Sequence, residues 1–383
     1  MPKTNQHTDI QILAWAGWYP TAYCEQGIFI KKHLELLGQD FNIRTFHIAH
    51  KNHPFRWFKK EQLEESFGVV TIYYIPKVFG VKHLSYFIIP LLEAQKCKNI
   101  SVFHLHSSFP YAVFTYFLRF ISIDRFVATE HWGGFTDASG LYERQSSMMK
   151  RLYRKAIKTF DTVTVVSSFL KQVMQTKIGH PNIQVVPNVV NITPQQTPEK
   201  VSINRFRLLS IGNLDDKVKN YSLLLDVIHQ VKAVVPDVSL DIYGSGKDEK
   251  FLRDRAEALG LLNTNVWFKG YVPNAVLTQQ YTGYDAFILL SNYETFSIAT
   301  FEALSYNLPV FISACGGPES FVNADNGIIV RTKNPNEIAD LLLVFRQQVQ
   351  QGKYLNVAHT LDYEFYRKET ILKLFQKAYG IKN

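Results

Sequence analysis

Short apolar runs alternate with helix-spaced segments along the whole chain. Residues 10–16 form an apolar run that ends at Gly17, and a turn-rich stretch follows, from Trp18-Tyr19-Pro20 to Gly27. In 28–37, Ile28, Leu34 and Leu37 recur at helical spacing. Runs at 42–48, 69–75, 102–105, 125–129, 162–166 and 183–186 read as further strands, with helices predicted over 111–120 and 147–156. The 111–120 segment is apolar almost all round, which fits a packed helix better than one lying on a membrane surface. Such alternation builds a mostly parallel sheet with helices on both faces.

The pattern breaks over 190–204, which is polar, contains Pro194 and Pro198, and has no periodicity. It then restarts. Strands are predicted at 207–211, 239–243, 265–268, 286–290, 310–313 and 327–330, and helices at 221–234, 247–259, 297–304 and 336–349. The expected organisation is an α/β pair of doubly wound domains: 1–190, a linker at 191–204, 205–360, and a C-terminal helix within 361–383 that packs back on the first domain. Ligands of such folds bind beyond the C-terminal strand ends, here expected in a cleft between the two halves.

Composition narrows the function. Hydrophobic residues make up 46% and charged residues 20% of the 383, which fits a globular protein with true cores and leaves little room for disorder. The net charge of +9 favours anionic partners. One cluster, 53–60, mixes cations with aromatics. It fits either a solvated loop or a patch that docks on an anionic membrane surface with Trp57 and Phe58 at the interface. No basic recognition helix or RNA-binding motif accompanies the charge, so nucleic acid is not an expected partner. Cys24, Cys97 and Cys315 have neither metal spacing nor a disulfide framework, which suits a reducing compartment. The N-terminal segment lacks a signal-peptide pattern, and no window reaches the ~20 apolar residues of a membrane span. A cytoplasmic protein, soluble or peripheral on the inner face of the membrane, is expected.

The segment from Ser291 to Leu304 carries the most chemistry. A strand runs into a polar turn with Glu294, and the following helix holds Glu302. The helix start at 296–299 offers unpaired N–H groups and a positive dipole end suited to a diphosphate. Carboxylates beside it can accept hydrogen bonds from sugar hydroxyls. By spacing alone, the pair also fits a loop acid and a satisfied helix acid.

Its surroundings decide between these. Glu294, seven residues, then Glu302 resembles the Glu-x7-Glu motif of retaining glycosyltransferases of the GT-B fold, in particular family 4. The match extends through Phe296, Ala303-Leu304 and Pro309-Val310 to Gly316-Gly317 and Glu319. Other elements similar to that family fall in order: Trp18-Tyr19-Pro20 with Gly27, Thr129-Glu130-His131, Asp161 to Ser167, Val186-Pro187-Asn188, Ile211-Gly212 with Lys219-Asn220, Tyr243-Gly244-Ser245-Gly246, and Phe268 to Val272.

The resemblance implies a GT-B fold, two Rossmann-like domains facing across a cleft, and a donor held mainly by the second. Glu302 would bind the ribose hydroxyls, and Glu294 the hydroxyls of the transferred sugar. Lys219 would neutralise the diphosphate, with backbone groups at Phe296, Ser297 and Ile298 assisting. Gly212 and Gly244 would belong to the donor loops, and Tyr271 and Val272 would line the base pocket. Gly17 and Gly27 would close over the phosphates, and His131 would face the sugar. The implied reaction is transfer with retention. It needs no cofactor beyond the UDP- or GDP-sugar substrate, takes a glycan or lipid-linked acceptor of cell-surface polysaccharide biosynthesis, and needs no metal, since the chain has no Asp-x-Asp motif.

The chain departs from the family at Asn213, where Arg is usual. That removes one diphosphate cation, which Lys217 is placed to replace. Val189 and Asn307 stand where glycines are usual. Two rival readings remain compatible with these residues: a nucleotide-sugar epimerase of the same fold, and a non-catalytic two-domain sugar-binding protein.

Overall fold

The computed structural model describes residues 7–21, 26–51, 59–77, 80–97, 99–190, 206–277 and 279–381. Residues 53–58 of the cationic aromatic cluster, and the linker at 191–204, lie outside them. The chain forms two compact units. One comprises Met1–Phe135, Gly140–Val189 and Phe365–Asn383, the other Thr136–Ser139 and Val190–Glu364.

The first unit contains β1 (His7–Ala16), α1 (Ile28–Leu37), β2 (Phe41–Lys51), β3 (Lys59–Glu65), β4 (Gly68–Pro76), α2 (Val81–Gln95), β5 (Ile100–His106), β6 (Ile123–Glu130), α3 (Ser147–Ile157), β7 (Thr162–Val165), α4 (Ser168–Ile178) and β8 (Ile183–Val185). Its sheet has the order β3-β4-β2-β1-β5-β6-β7-β8. All neighbours pair parallel except β3, which is antiparallel to β4. Strand β1 lies mid-sheet, and its run Ile12-Leu13-Ala14-Trp15 is fully buried, as a strand covered on both faces requires. The C-terminal helix Lys368–Ala378 belongs to this unit and buries Ile371 and Phe375 in its core. Tyr379, just beyond it, hydrogen-bonds His104 Nδ1 at 2.8 Å.

Two features of this unit differ from the pattern-based expectation. Residues 111–120 form two short 3-10 turns, Tyr111–Val113 and Tyr116–Phe120, instead of one helix. The segment is rich in aromatic and β-branched residues of low helix propensity. Thr115 Oγ1 also donates to the Ala112 carbonyl at 2.9 Å, a local bond that competes with helix continuation. Nor is the segment packed all round, since Tyr116, Phe117 and Phe120 are exposed. The second feature is β3, whose Lys- and Glu-rich sequence hides a strand. It lies at the sheet edge, where charge discourages pairing with other chains.

The second unit contains β9 (Phe206–Ile211), α5 (Asp216–Lys219), α6 (Tyr221–Val234), β10 (Val238–Tyr243), α7 (Glu249–Ala258), β11 (Val266–Gly270), α8 (Asn274–Leu277), β12 (Ala286–Leu289), α9 (Ile298–Ser305), β13 (Val310–Ser313), β14 (Gly327–Val330) and α10 (Pro335–Gln350). Its all-parallel sheet has the order β11-β10-β9-β12-β13-β14. The chain builds outward from β9 in one direction, then returns to start again at β12. The crevice beyond the C-terminal ends of β9 and β12 is therefore the topological switch point where doubly wound folds bind ligands. In the first unit the corresponding point lies between β1 and β5.

Candidate active site

The loops leaving β9 and β12 meet at the switch point of the second unit. Lys219 ends α5, and its Nζ donates to Glu294 Oε1 at 2.6 Å. Ser291 Oγ donates to the same oxygen at 2.8 Å. Both members of the ion pair are largely buried. Burial works against the Lys219 charge, but the Glu294 carboxylate outweighs it and holds the lysine above its ordinary pKa. A buried, paired cation of this kind stays protonated at any working pH.

Backbone contacts fix the pair. Asn292 N–H donates to the Val218 carbonyl at 2.8 Å, and its side chain to the Lys217 carbonyl at 3.1 Å, so the two loops are clipped together. Glu294 N–H donates to Cys315 O at 2.7 Å, and Gly317 N–H to Glu294 O at 2.9 Å, which threads the Gly316-Gly317 turn against the Glu294 loop. A Cβ on Gly317 would lie 2.3 Å from the Thr295 carbonyl carbon, so that approach needs glycine. Gly212 stands under the Lys219 side chain: its missing Cβ would sit 2.8 Å from Lys219 Cε. Gly244 has φ 142, and a Cβ there would lie 1.9 Å from the Gly212 carbonyl oxygen. The β9 and β10 loops therefore pack backbone to backbone.

The Glu294 loop runs into α9. Ser297 takes the left-handed conformation, φ 67 and ψ 81, immediately before the helix. Strain of this kind in a residue with a side chain is concentrated at ligand sites. Its Oγ pairs with Thr300 Oγ1 at 2.8 Å instead of capping, so no side-chain cap covers the first turn of the helix. The N-terminus of α9 thus offers its backbone donors and dipole to an anion. Phe296 is buried against Phe301 and Phe321, which anchors the turn. Glu302, only 2% exposed, accepts a hydrogen bond from Tyr281 Oη at 3.2 Å.

The remaining candidates spread along the same sheet edge. Asn213 is exposed in the loop after β9, and Lys217 is exposed on α5. Tyr271, half exposed, and Val272 follow β11, two strands from β9. Glu294 and Lys219 are therefore in contact, whereas Glu302 faces Tyr281 and Tyr271 lies at the far end of the edge. Sequence reasoning placed Ser291 at the start of the motif without assigning its bond to Glu294, three residues on. It missed Asn292 and Tyr281, whose partners lie 75 and 21 residues away.

In the first unit, Gly17 follows β1, and its N–H donates to His106 O at 2.9 Å. A Cβ on Gly17 would meet that oxygen at 2.6 Å. Gly27 starts α1 at φ 97, where a Cβ would press on the Trp18 carbonyl. His131 leaves β6 through a loop organised by buried Glu130. That carboxylate accepts from the N–H groups of His131 and Trp132 at 2.9 and 2.8 Å and from Ser108. Burial raises the Glu130 pKa, and these bonds oppose the rise. The His131 ring packs against Phe29, His33 and His106. Burial, with His33 and His104 nearby, holds it well below the ordinary histidine pKa, so it is a neutral imidazole.

His33, His106 and His131 each offer one ring nitrogen within 4.8 Å of the others. His33 Nε2 is paired with the Pro187 carbonyl at 3.0 Å, which leaves its Nδ1 as the available lone pair. Among the described residues, these three are the ones that could hold a metal ion. His104-x-His106 at a strand end was a visible sign of this cluster; His33 gave none.

The family model described as Glycosyl transferases group 1 matches residues 194–348. The one described as Glycosyltransferase Family 4 matches residues 46–193. The chain is 24% identical over 277 residues to an uncharacterised 41.2 kDa protein of the cps region of Klebsiella pneumoniae, covering 69% of this chain and 74% of that one. It is 23% identical over 303 residues to the N-acetyl-alpha-D-glucosaminyl L-malate synthase of Bacillus anthracis, covering 76% and 77%. It spans 36% and 53% of the lengths of two further curated relatives. Among solved structures, Anabaena HepE in complex with UDP matches with a TM-score of 0.70 and 17% identity, covering 97% of this chain and 99% of that one. At that identity the likeness is one of fold.

Proposed function

We propose that this chain, which belongs to the group 1 glycosyl transferases and has their GT-B fold, moves a sugar with retention from a UDP- or GDP-sugar to a glycan or lipid-linked acceptor of cell-surface polysaccharide. The observation that carries the reading is the Lys219–Glu294 pair beside the uncapped start of α9. It sets a buried cation, helix-terminal N–H groups and a carboxylate at one switch point, which is what a sugar diphosphate requires.

In the reaction, the bond between the anomeric carbon and the phosphate oxygen breaks, and negative charge builds on the departing diphosphate. Lys219 and the amides at Phe296, Ser297 and Ile298 stabilise that charge where it develops. Lys217 adds a second cation in place of the arginine absent at Asn213. The acceptor hydroxyl attacks on the same face, and its proton passes to the leaving phosphate. Glu294, held in position by Lys219 and Ser291, accepts from the sugar hydroxyls. Glu302 exchanges its Tyr281 bond for the ribose hydroxyls. His131, a neutral imidazole, can both donate to and accept from a hydroxyl. Within the second unit, the close backbone approach of Gly212 and Gly244 shapes the phosphate loops, and Tyr271 and Val272 border the base. With Lys219 and the helix start supplying the positive field, transfer runs without a divalent cation.

The names of the relatives support the direction of this reading. One lies in a cps region, one is a glucosaminyl L-malate synthase, and a protein of like fold binds UDP. A cytoplasmic site of action follows from the nucleotide-sugar donor. The test is a panel of radiolabelled UDP- and GDP-sugars incubated with a lipid and glycan extract of the native cell. Transfer from one donor, abolished by Glu302→Ala in a protein that still melts cooperatively, is expected. Undiminished turnover in that variant contradicts the assignment. Epimerised donor formed without acceptor, or tight binding of free sugar with no response to UDP or GDP, would transfer the assignment to one of the rivals.

A further inference from the structure

Three histidines meet at the switch point of the first unit. His106 ends β5, His131 follows β6, and His33 lies on α1. His33 and His106 are fully buried, and His131 is 5% exposed. Each ring carries two nitrogens that need partners. Among the described residues, His33 Nε2 alone has one at ordinary hydrogen-bond length, the Pro187 carbonyl at 3.0 Å. His33 Nδ1, His106 Nε2 and His131 Nδ1 have none. His106 Nδ1 and His131 Nε2 face each other at 3.5 Å, longer than a well-formed hydrogen bond. Asn188 stands beside His131, and its Oδ1 is unpaired too.

His104, in the same strand, shows the contrast. Its Nε2 pairs with Thr129 Oγ1 at 2.7 Å and its Nδ1 with the Tyr379 hydroxyl at 2.8 Å. Buried polar groups left unpaired are costly, and folded proteins satisfy nearly all of them. The other three rings therefore converge on something that no side chain of this unit supplies.

Their geometry points to a cation. Three nitrogens held about 2.05 Å from a tetrahedral ion lie about 3.4 Å apart. The His106–His131 separation is already 3.5 Å. One nitrogen of each ring lies within 4.8 Å of the others, so a small rotation of His33 closes the set. The Pro187 carbonyl can only accept, so His33 Nε2 carries the proton and Nδ1 keeps its lone pair. That arrangement is typical of a metal-ligating histidine. Burial keeps all three rings neutral, which is the form that ligates. A set of imidazoles without carboxylates suits zinc and its neighbours, whereas magnesium and calcium require oxygen.

We propose that His33, His106 and His131 bind one divalent transition-metal ion of the zinc class, with a fourth position left open, and that the ion slows transfer by occupying His131. The binding half lies wholly within the first unit and needs no nucleotide sugar. The inhibitory half rests on the transfer reading, which sets the free His131 imidazole toward the sugar.

The test uses the untagged full chain, stripped with EDTA and dialysed. Calorimetric titration with zinc chloride alone should show one tight site per chain, and zinc should raise the melting temperature. Magnesium chloride should do neither. Cobalt(II) should give the visible absorption of a tetrahedral nitrogen site, without the thiolate bands that a cysteine ligand would add. His33→Gln keeps an N–H for Pro187 and removes Nδ1, and it should weaken zinc binding at least about tenfold. The cobalt spectrum of the intact chain decides even if that variant fails to fold. One equivalent of zinc should lower turnover of the intact protein, and His33→Gln should need more zinc for the same effect.

No zinc binding, equal binding by a folded His33→Gln, or a thiolate or octahedral cobalt spectrum would overturn the site. Zinc bound at the cluster with turnover unchanged would overturn the inhibitory half. A chain that binds zinc at these rings but transfers no sugar would sink the transfer reading and leave the metal site standing.

Discussion

Lys219 Nζ and Glu294 Oε1, 75 residues apart in sequence, lie 2.6 Å from each other. Their contact joins the loop after β9 to the loop after β12 where the strand order reverses. The same bond keeps the lysine charged and the carboxylate oriented, the two properties that the proposed diphosphate site needs from this position.

Lys219→Ala should remove that bond in two measurable ways. Turnover should fall about 100-fold, the typical effect of losing one preorganised donor to developing charge. Stability should fall by about 1–3 kcal/mol, because the Glu294 carboxylate is left largely buried without its partner. Steady-state kinetics and urea unfolding of one preparation measure both. A stable variant with full turnover would show the pair to be incidental.

Gly212→Ala and Gly244→Ala should separate chemistry from stability. The new Cβ at 212 meets Lys219 Cε at 2.8 Å and the Tyr221 hydroxyl at 3.2 Å, so the lysine must shift from Glu294 while the backbone stays in place. Activity should fall, and stability should fall by no more than in Lys219→Ala. The Cβ at 244 meets the Gly212 carbonyl at 1.9 Å, and the residue sits at φ 142. That variant should melt markedly lower. Equal melting temperatures for the two would contradict the loop geometry.

The buried histidines of the first unit set a pH dependence. Burial lowers His33 and His47 to about 4 and His104 to about 3, below the ordinary value of about 6.5. Between those limits the unfolded chain binds protons that the fold refuses. Stability is therefore fully present above about pH 6.5 and is lost as pH falls toward 4, by at most about 1.4 kcal/mol per pH unit for each such histidine. Urea midpoints at pH 7 and pH 5 should show the loss, and His33→Asn should flatten it. A midpoint independent of pH over this range would mean that these rings are not neutral and buried.

Chelation tests the electrostatic account. With Lys219 and the start of α9 supplying the positive field, prolonged EDTA treatment should leave turnover unchanged. Activity lost to EDTA and restored by one equivalent of a divalent ion would instead direct attention to the nitrogens of His33, His106 and His131.

Much of this was legible in the sequence. The apolar runs located the strands, because parallel strands covered on both faces must be continuously apolar, as Ile12 to Trp15 and Ala286 to Leu289 are. The polar strand β3 was invisible, since an edge strand is selected for charge. The segment 111–120 misled because an apolar composition does not distinguish a packed helix from an exposed turn; Thr115 and the ring-rich sequence decided that. At the site, Glu294 and Glu302 were readable from one local motif. Asn292 and Tyr281 were not, because their roles exist only once distant segments meet.

The most direct measurement of the central claim is calorimetric titration of UDP and GDP into the intact protein and into Lys219→Ala. The account predicts binding of one nucleoside diphosphate by the intact protein, weakened at least about tenfold in the variant, or about 1.4 kcal/mol. No binding of either nucleotide, or equal affinity in both proteins, would contradict it.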